Sequence, residues 1–380
     1  MQPIRVLNLF TIMNRGGAET MVMNLYRQID RTKIQFDFMV YYQERGSYDD
    51  EIESMGGKIY RMPKLRFLNL YRYTKCLKTF FYEHKEYKIL HGHMGETGFF
   101  VYREASRQGV PIIIVHSHCA NSPIKGIQIH ARIKKMIKIT FEQLMWRYVT
   151  DGFACGYAAR DALFGSKSKP AIILNNAIDT EKFVYNSQIA YEVKTKLGIK
   201  NKFVIGHVGR MDVNKNQWFI VDIFKCIHDK NPDTVLLLIG DGELKRKIAS
   251  KIKKLNLNDS VILTGVRSDI PNLMQAIDVF LFPSLYEGVP VAVIEAQAAG
   301  LPCILSDAIS KETNIVGQCQ FISLNKPPHE WAKIVLKYER GFKRKDMQVE
   351  FGKAGYDIKT TAKWLEEYYL KKYVELKDMK

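Results

Sequence analysis

Acidic residues are scarce in this chain: 40 aspartates and glutamates stand against 57 lysines and arginines in 380 residues, a formal net charge of +17. That imbalance predicts attraction to something acidic, whether nucleic acid, anionic lipid headgroups or phosphorylated substrates, without choosing among them. Cysteine is sparse and scattered. Cys76, Cys119, Cys155, Cys226, Cys303 and Cys319 form no CxxC pair and have no histidine cluster beside them, which argues against a structural zinc site and a disulfide framework and fits a reducing cytoplasm. No run of about 18 apolar residues occurs, so no membrane span is expected. The start, MQPIRVLNLF, lacks the apolar core and small-residue cleavage site of a signal peptide and reads as a first buried strand. No RNP, helix-turn-helix or zinc-finger pattern accompanies the positive charge, and no paired-aspartate motif offers to hold a magnesium ion.

What is present is an ordinary globular composition, 46% apolar and 26% charged, which excludes intrinsic disorder. The length predicts two domains, each able to bury its own core. Strand candidates at 4–10, 36–42, 58–62, 89–91 and 111–115 alternate with helical segments, the pattern of a parallel α/β sheet. After the first strand, NRGGAETMVMNLYRQI turns from a glycine loop into a helix with Met21, Val22, Leu25 and Ile29 at helical spacing. Such a loop lets backbone approach a phosphate, although GGAE is neither GxGxxG nor a Walker loop and a plain strand-to-helix turn would look the same. The strand 111–115 runs into His116, Ser117 and His118. Ligands of open α/β sheets lie beyond the carboxyl ends of strands, so this pair is placed for a site, although a lone histidine is more often structural.

Two basic stretches lie in this half. In 64–88 cations interleave with Leu, Phe and Tyr, and around 127–148 the residues Ile133, Ile137, Phe141 and Leu144 share a helix face beside Lys134, Lys135 and Lys138. Any surface helix has an apolar stripe, yet cations beside exposed aromatics also suit an anionic membrane. Residues 186–201 lose the apolar rhythm and are the expected linker between a first domain, 1–185, and a second, 202–359. The second domain opens with strand 203–208 and a loop carrying Arg210 and Lys215 over a helix expected from about Asn216; a guanidinium fork and a point charge there make a diphosphate clamp, where either alone would pass for a solvated charge.

The stretch PSLYEGVPVAVIEAQAAGLPCILSD, 283–307, reads as loop, helix from Pro290 to Ala299, and strand. Glu287 lies before the helix and Glu295 within it, so an open helix start stands between two acids. An anion suits the helix start, and hydroxyl-bearing rings suit the acids.

Together GGAE (16–19), NNAID (175–179), GRMDVNKN (209–216), GDGE (240–243) and the Glu-x7-Glu pair of EGVPVAVIE (287–295) resemble the family-4 retaining glycosyltransferases, across nearly the whole chain. The GGAETMVMNLYR start, the IVHSH strand end and the EAQAAGLP helix are similar to those of bacterial capsule and exopolysaccharide assembly. The resemblance implies a GT-B fold: two facing Rossmann-like domains with parallel sheets, an inter-domain cleft, and a C-terminal helix, 360–380, crossing back to the first domain. It implies that Glu295 binds the ribose hydroxyls of a nucleotide-sugar, that Glu287 contacts the transferring sugar, and that Arg210 and Lys215 neutralise the diphosphate. Gly16 and Gly17 would let the first-domain loop close over that diphosphate, and His116 and His118 would contact the sugar. Gly209 and Gly240 belong to the donor-binding turns, and Val266 and Arg267 stand where the family holds the base. Pro290 stands where many relatives carry a small residue and removes one N–H, so the anion must rely on Gly288 and Val289. Ala177 replaces a common glycine in the NNAID turn.

The implied activity is transfer of a hexosyl or N-acetylhexosaminyl group from a nucleotide-sugar, a UDP-sugar by resemblance, to a lipid-linked saccharide. It implies no metal and no cofactor, a cytoplasmic enzyme peripheral on the inner membrane face, and no nucleic-acid partner. Two other readings stay open: a UDP-sugar epimerase of similar fold, which would need no acceptor, and a basic nucleic-acid-binding protein. Glu287 and Glu295 could be mistaken for the acid and nucleophile of a glycosidase, but one is in a loop and the other two turns along a helix, so they read as ligand-orienting groups.

Overall fold

The structure is a computed structural model and describes residues 2–65, 69–118, 136, 139–165 and 170–378. The chain divides into two compact units, Met1–Ala177 with Ile358–Lys380, and Ile178–Asp357.

The first unit is built on seven parallel strands: β1 (Ile4–Leu9), β2 (Ile34–Val40), β3 (Ile59–Arg61), β4 (Ile89–Gly92), β5 (Ile112–Ser117), β6 (Asp151–Ala154) and β7 (Ala171–Ile173). Their order is β3-β2-β1-β4-β5-β6-β7. β2 and β5 are buried along their whole length, so β5 opens with the apolar run Ile112–Val115, while β2 buries Gln35 and Asp37 between its apolar residues. The chain walks outward from β1 to β3 and then returns to lay β4 on the other side of β1. Loops leaving β1 and β4 therefore diverge to opposite faces and leave a crevice at their carboxyl ends, where such sheets hold ligands. The final helix, Ile358–Asp378, belongs to this unit: Ile358, Ala362, Leu365 and Tyr369 recur at helical spacing and pack into the core with Phe36, Phe38 and Phe153. Lys33 reaches Glu366 at 2.9 Å and Lys372 reaches Asp151 at 2.8 Å, tying the helix to the starts of β2 and β6. Trp364, in the same helix, is 40% exposed.

The second unit has six parallel strands, β8 (Phe203–Val208), β9 (Thr234–Ile239), β10 (Val261–Gly265), β11 (Val279–Phe282), β12 (Cys303–Ser306) and β13 (Cys319–Ile322), in the order β10-β9-β8-β11-β12-β13. The reversal here falls between β8 and β11, so the loops after those two strands flank the crevice.

Several expectations need correction. The segment 186–201 is not a linker but carries the helix Ser187–Lys196 of the second unit, N-capped by Asn186, whose side chain accepts from the amides of Gln188 and Ile189. Its apolar rhythm is faint because Ala190 is its one buried residue. The chain passes between units at Ala177–Ile178 and returns at Asp357–Ile358. β5 extends through Ser117, so His116 is a strand residue, 1% exposed, rather than part of an emerging loop. The helix after β11 spans Val291–Ala298, with Pro290 as its N-cap rather than its first residue. In the expected helix 127–148 the described residues 139–145 are helical, while Ile133, Lys134, Lys135, Ile137 and Lys138 lie outside the described residues. Five of the six cysteines are described and all are free; Cys119 lies outside the described residues.

Candidate functional site

The loops after β8 and β11 are fastened together by Asn214. Its carbonyl accepts from the amide of Leu285 at 2.8 Å, its side-chain oxygen from the amide of Tyr286 at 3.2 Å, and its side-chain nitrogen donates to Glu287 Oε1 at 2.8 Å. Lys215 Nζ forms an ion pair with the same carboxylate oxygen. Asn216 takes the left-handed conformation, φ 57°, and donates from its side chain to the carbonyl of Pro283 at 3.1 Å. Side chains of Lys215 and Glu287 are 20% and 16% exposed, so water screens the pair incompletely. Arg210 stands 71% exposed, with Nε 3.3 Å from Asp212. The structure thus brings Lys215 and Glu287 into contact and leaves the Arg210 guanidinium largely free toward solvent.

Beneath this loop, His207 of β8 holds Gln217. His207 Nδ1 lies 3.0 Å from the carbonyl of Leu281, and Gln217 Nε2 lies 3.2 Å from His207 Nε2 and 2.8 Å from the carbonyl of Arg210. Burial drives His207 down to about 3, so it is neutral at pH 7 and accepts from Gln217 on Nε2. Two glycines are sterically required. A Cβ on Gly240, whose φ is 136°, would lie 2.1 Å from the carbonyl oxygen of Gly209, and one on Gly242 would lie 2.4 Å from that of Met211.

The helix Val291–Ala298 is buried nearly all round, with Ala292 and Glu295 its partly exposed positions, and no side chain caps its start. Among the described residues the Glu295 carboxyl has no hydrogen-bond or ion-pair partner, and burial pushes it up to about 8. An acid kept without a partner at the one opening of a buried helix is suited to accept hydroxyls from a ligand. The carbonyl of Gly288 is taken by Thr313 Oγ1 at 3.0 Å, and Val289 is buried, which fixes the backbone before the helix. Arg267 forks onto Asp269 at 2.6 and 2.8 Å, while Val266 is exposed.

In the first unit Gly16 is the N-cap of the helix Gly17–Gln28, which no side chain caps. A Cβ on Gly17 would meet nothing within 4 Å, so packing within the unit does not explain the glycine. The register of β4 with β5 sets His91 beside Ile114 and Gly92 beside Val115. Side chains alternate along strands, so His91, His93, His116 and His118 share one face. Their rings gather, with His116 to His118 at 4.2 Å between centroids, His91 to His93 at 4.4 Å and His91 to His116 at 5.4 Å. Burial drives His91 and His118 down to about 3 and holds His93 and His116 well below the usual imidazole range. Sequence reasoning named His116 and His118 but missed His91, His93 and Asn214; HGH and GRMDVNKN were the available signals, since alternate histidines on neighbouring strands share a face and the loop motif contains the asparagine.

Comparison with known proteins places this architecture. Residues 191–357 match the family model described as glycosyl transferases group 1. The chain is 36% identical over 361 residues to EpsF of Bacillus subtilis (strain 168), a glycosyltransferase by name, with 93% of each chain covered. It is 30% identical over 291 residues, 72% of each chain, to the UDP-Gal:alpha-D-GlcNAc-diphosphoundecaprenol alpha-1,3-galactosyltransferase of Escherichia coli. It is 25% identical to the capsular polysaccharide biosynthesis glycosyltransferase CapH of Staphylococcus aureus, over 97% of this chain and 99% of that one. Among solved structures, Anabaena Alr3699/HepE in complex with UDP and glucose superposes with a TM-score of 0.71 at 19% identity, over 96% of this chain and 95% of that one. Two Rossmann-like parallel sheets with such neighbours constitute the GT-B fold.

Proposed function

Because the chain belongs to the group 1 glycosyl transferases, and is therefore a glycosyltransferase of the capsular and exopolysaccharide kind, we propose that it transfers a hexosyl or N-acetylhexosaminyl group, with retention, from a UDP-sugar to a lipid-linked saccharide. The observation that carries the donor side is the Lys215–Glu287–Asn214 cluster at the β8/β11 switch point, next to Arg210 and an uncapped helix start. As the sugar–phosphate bond breaks, negative charge grows on the diphosphate and the sugar gains oxocarbenium character. Fixed cations and helix N-termini aimed at that charge lower the barrier. Lys215 has three donors, so it can keep Glu287 and still take a phosphate oxygen; Glu287, held by Lys215 and Asn214, is oriented toward sugar hydroxyls. Arg210 adds its fork from the open side, and Glu295 takes the ribose hydroxyls. With this charge supplied by side chains, transfer proceeds without a metal. Retention follows from attack on the face the leaving phosphate departs from, that phosphate helping to take the acceptor's proton.

The UDP donor and lipid-linked acceptor are supported by the E. coli relative, whose name states both. Neither the epimerase nor the nucleic-acid reading is favoured by these relatives.

No helix among the described residues is long and apolar enough to cross a membrane. Peripheral attachment to the inner face of the cell membrane is supported by the helix Leu70–Glu83. Its Tyr73, Leu77, Phe80 and Phe81 enter the core while Tyr71 and Tyr82 stand 82% and 70% exposed, in a groove shared with Lys75, Lys78, Arg103 and Arg107. Cations flanked by exposed aromatic rings fit anionic headgroups. The test of the donor reading is a panel of nucleotide-sugars with thermal scans and slow donor hydrolysis as readouts. Stabilisation by UDP over GDP and ADP is expected, and no response to any nucleotide would overturn it.

A further inference from the structure

The histidine cluster of the first unit holds polar atoms that its own hydrogen bonds leave unused. Asn8 directs its amide nitrogen at the carbonyls of Val6 and Asp37, both at 3.4 Å, so its Oδ1 is the acceptor that faces His93 Nε2 at 3.3 Å. His93 is therefore protonated on Nε2 and carries its lone pair on Nδ1, which receives His118 Nε2 at 2.8 Å. The Tyr369 hydroxyl lies 2.6 Å from His91 Nδ1. With that nitrogen as donor, the lone pair of His91 is on Nε2. His91 Nε2, both nitrogens of His116 and Nδ1 of His118 are buried without a partner among the described residues. Buried polar groups in this state need a partner such as an ordered water or an ion. One nitrogen each from His91, His93 and His116 lie within 4.8 Å of one another.

We propose that His91, His93 and His116 form a three-imidazole site for a divalent transition-metal ion of the zinc type, with His118 or a water in the fourth position. The donor set is right: neutral imidazoles, with no thiolate or carboxylate joining them among the described residues, suit zinc or cobalt, and three histidines with an open position are a known zinc arrangement. The outer partners are right as well. Ligating histidines hold their far nitrogen on an oxygen, which is what Asn8 does for His93 and Tyr369 for His91. Zinc–nitrogen bonds of about 2.0–2.1 Å require His118 to withdraw its N–H from His93 Nδ1, the nitrogens to close up and the rings to turn about their Cβ–Cγ bonds. His116, with neither nitrogen engaged, is free to do so. The ion is assigned no part in neutralising the diphosphate.

The test uses the full chain, stripped with chelator and titrated with Co²⁺ and then Zn²⁺. The expected result is one ion per chain, the visible absorption of tetrahedral cobalt, its displacement by zinc, and a zinc-dependent rise in melting temperature. His116→Gln and, separately, His93→Gln should abolish all of these, while Asn8→Ala and Tyr369→Phe should weaken binding about 10–100-fold. His329→Gln, at an exposed histidine, should change nothing. Circular dichroism in chelator identifies which variants fold, and two independent ligand variants keep the test decisive if one does not. Absence of cobalt binding by the wild-type chain, an octahedral spectrum, or binding unchanged in a folded His116→Gln or His93→Gln chain would overturn the proposal. The readout is binding rather than sugar transfer, so its failure is distinguishable from failure of the donor reading.

Discussion

Replacing Lys215 with Ala separates two things this side chain does, balancing Glu287 and meeting the diphosphate. In the ligand-free chain the loss leaves a carboxylate, 16% exposed, with Asn214 as its remaining neighbour at 2.8 Å. The exposure lies between that of surface pairs, worth about 0–1 kcal/mol, and fully buried ones, whose breakage costs about 3–5 kcal/mol, so a loss of about 1–3 kcal/mol is expected. For a unit of this size that lowers the melting temperature by roughly 2–12 °C. Glu287→Gln in the same chain removes the stranded charge and should restore most of the stability. Transfer behaves differently, because losing a group aimed at developing charge costs about 10²–10³ in rate whatever stands at 287. The decisive number is therefore the effect of Lys215→Ala measured in the Glu287→Gln background, by nucleotide release from the accepted donor alongside melting scans. A fall of about 10²–10³ is expected there. If Lys215→Ala costs less than about threefold in that background, Lys215 acts only through Glu287 and the diphosphate role is refuted.

Other expectations follow from single residues. With its carboxyl pushed up to about 8, Glu295 is protonated in the ligand-free chain at neutral pH, whereas hydroxyl donors favour the ionised form. Nucleotide binding should then release a proton and tighten as pH rises from 6 toward 8, by up to about tenfold per pH unit; calorimetry in two buffers of different ionisation heat reads the proton, and Glu295→Gln should bind weakly and without pH dependence. Gly240→Ala should destabilise by at least about 1–3 kcal/mol, because its Cβ would strike the Gly209 carbonyl in a left-handed conformation, while Gly17→Ala, which meets open space, should leave the melting curve unchanged. Equal melting of the two variants would show that the loop packing is misjudged. The full chain should co-sediment with anionic vesicles and be released by salt, and replacing Lys75, Lys78, Arg103 and Arg107 by Ser should abolish this; retention by that variant would place the membrane contact elsewhere.

The parallel sheets were legible from a simple cause. Strands such as 203–208 and 279–282 are buried on both faces, so they stand out as apolar runs closed by turns, and the loop motifs after them fall at their carboxyl ends. Boundaries were less legible where local composition misleads. The helix Ser187–Lys196 buries one residue and so passes for a linker, and β5 runs on through His116 because a histidine can be wholly buried when its strand neighbours cover it.

The sequence by itself determined that there are two α/β sheets, that cations and acids follow β8 and β11, and that an open helix start lies between Glu287 and Glu295. Residue types and their spacing suffice for that, since burial and helical periodicity are local in sequence. Only the tertiary structure decided that Lys215 and Asn214 both grip Glu287, that the Glu295 carboxyl stands without a partner among the described residues in a buried helix, and that four histidines from β4 and β5 and the turns after them form one cluster beside Asn8 and Tyr369. Those facts depend on strand order and register, which bring together residues as far apart in the chain as His91 and Tyr369, and no local pattern records which strands become neighbours.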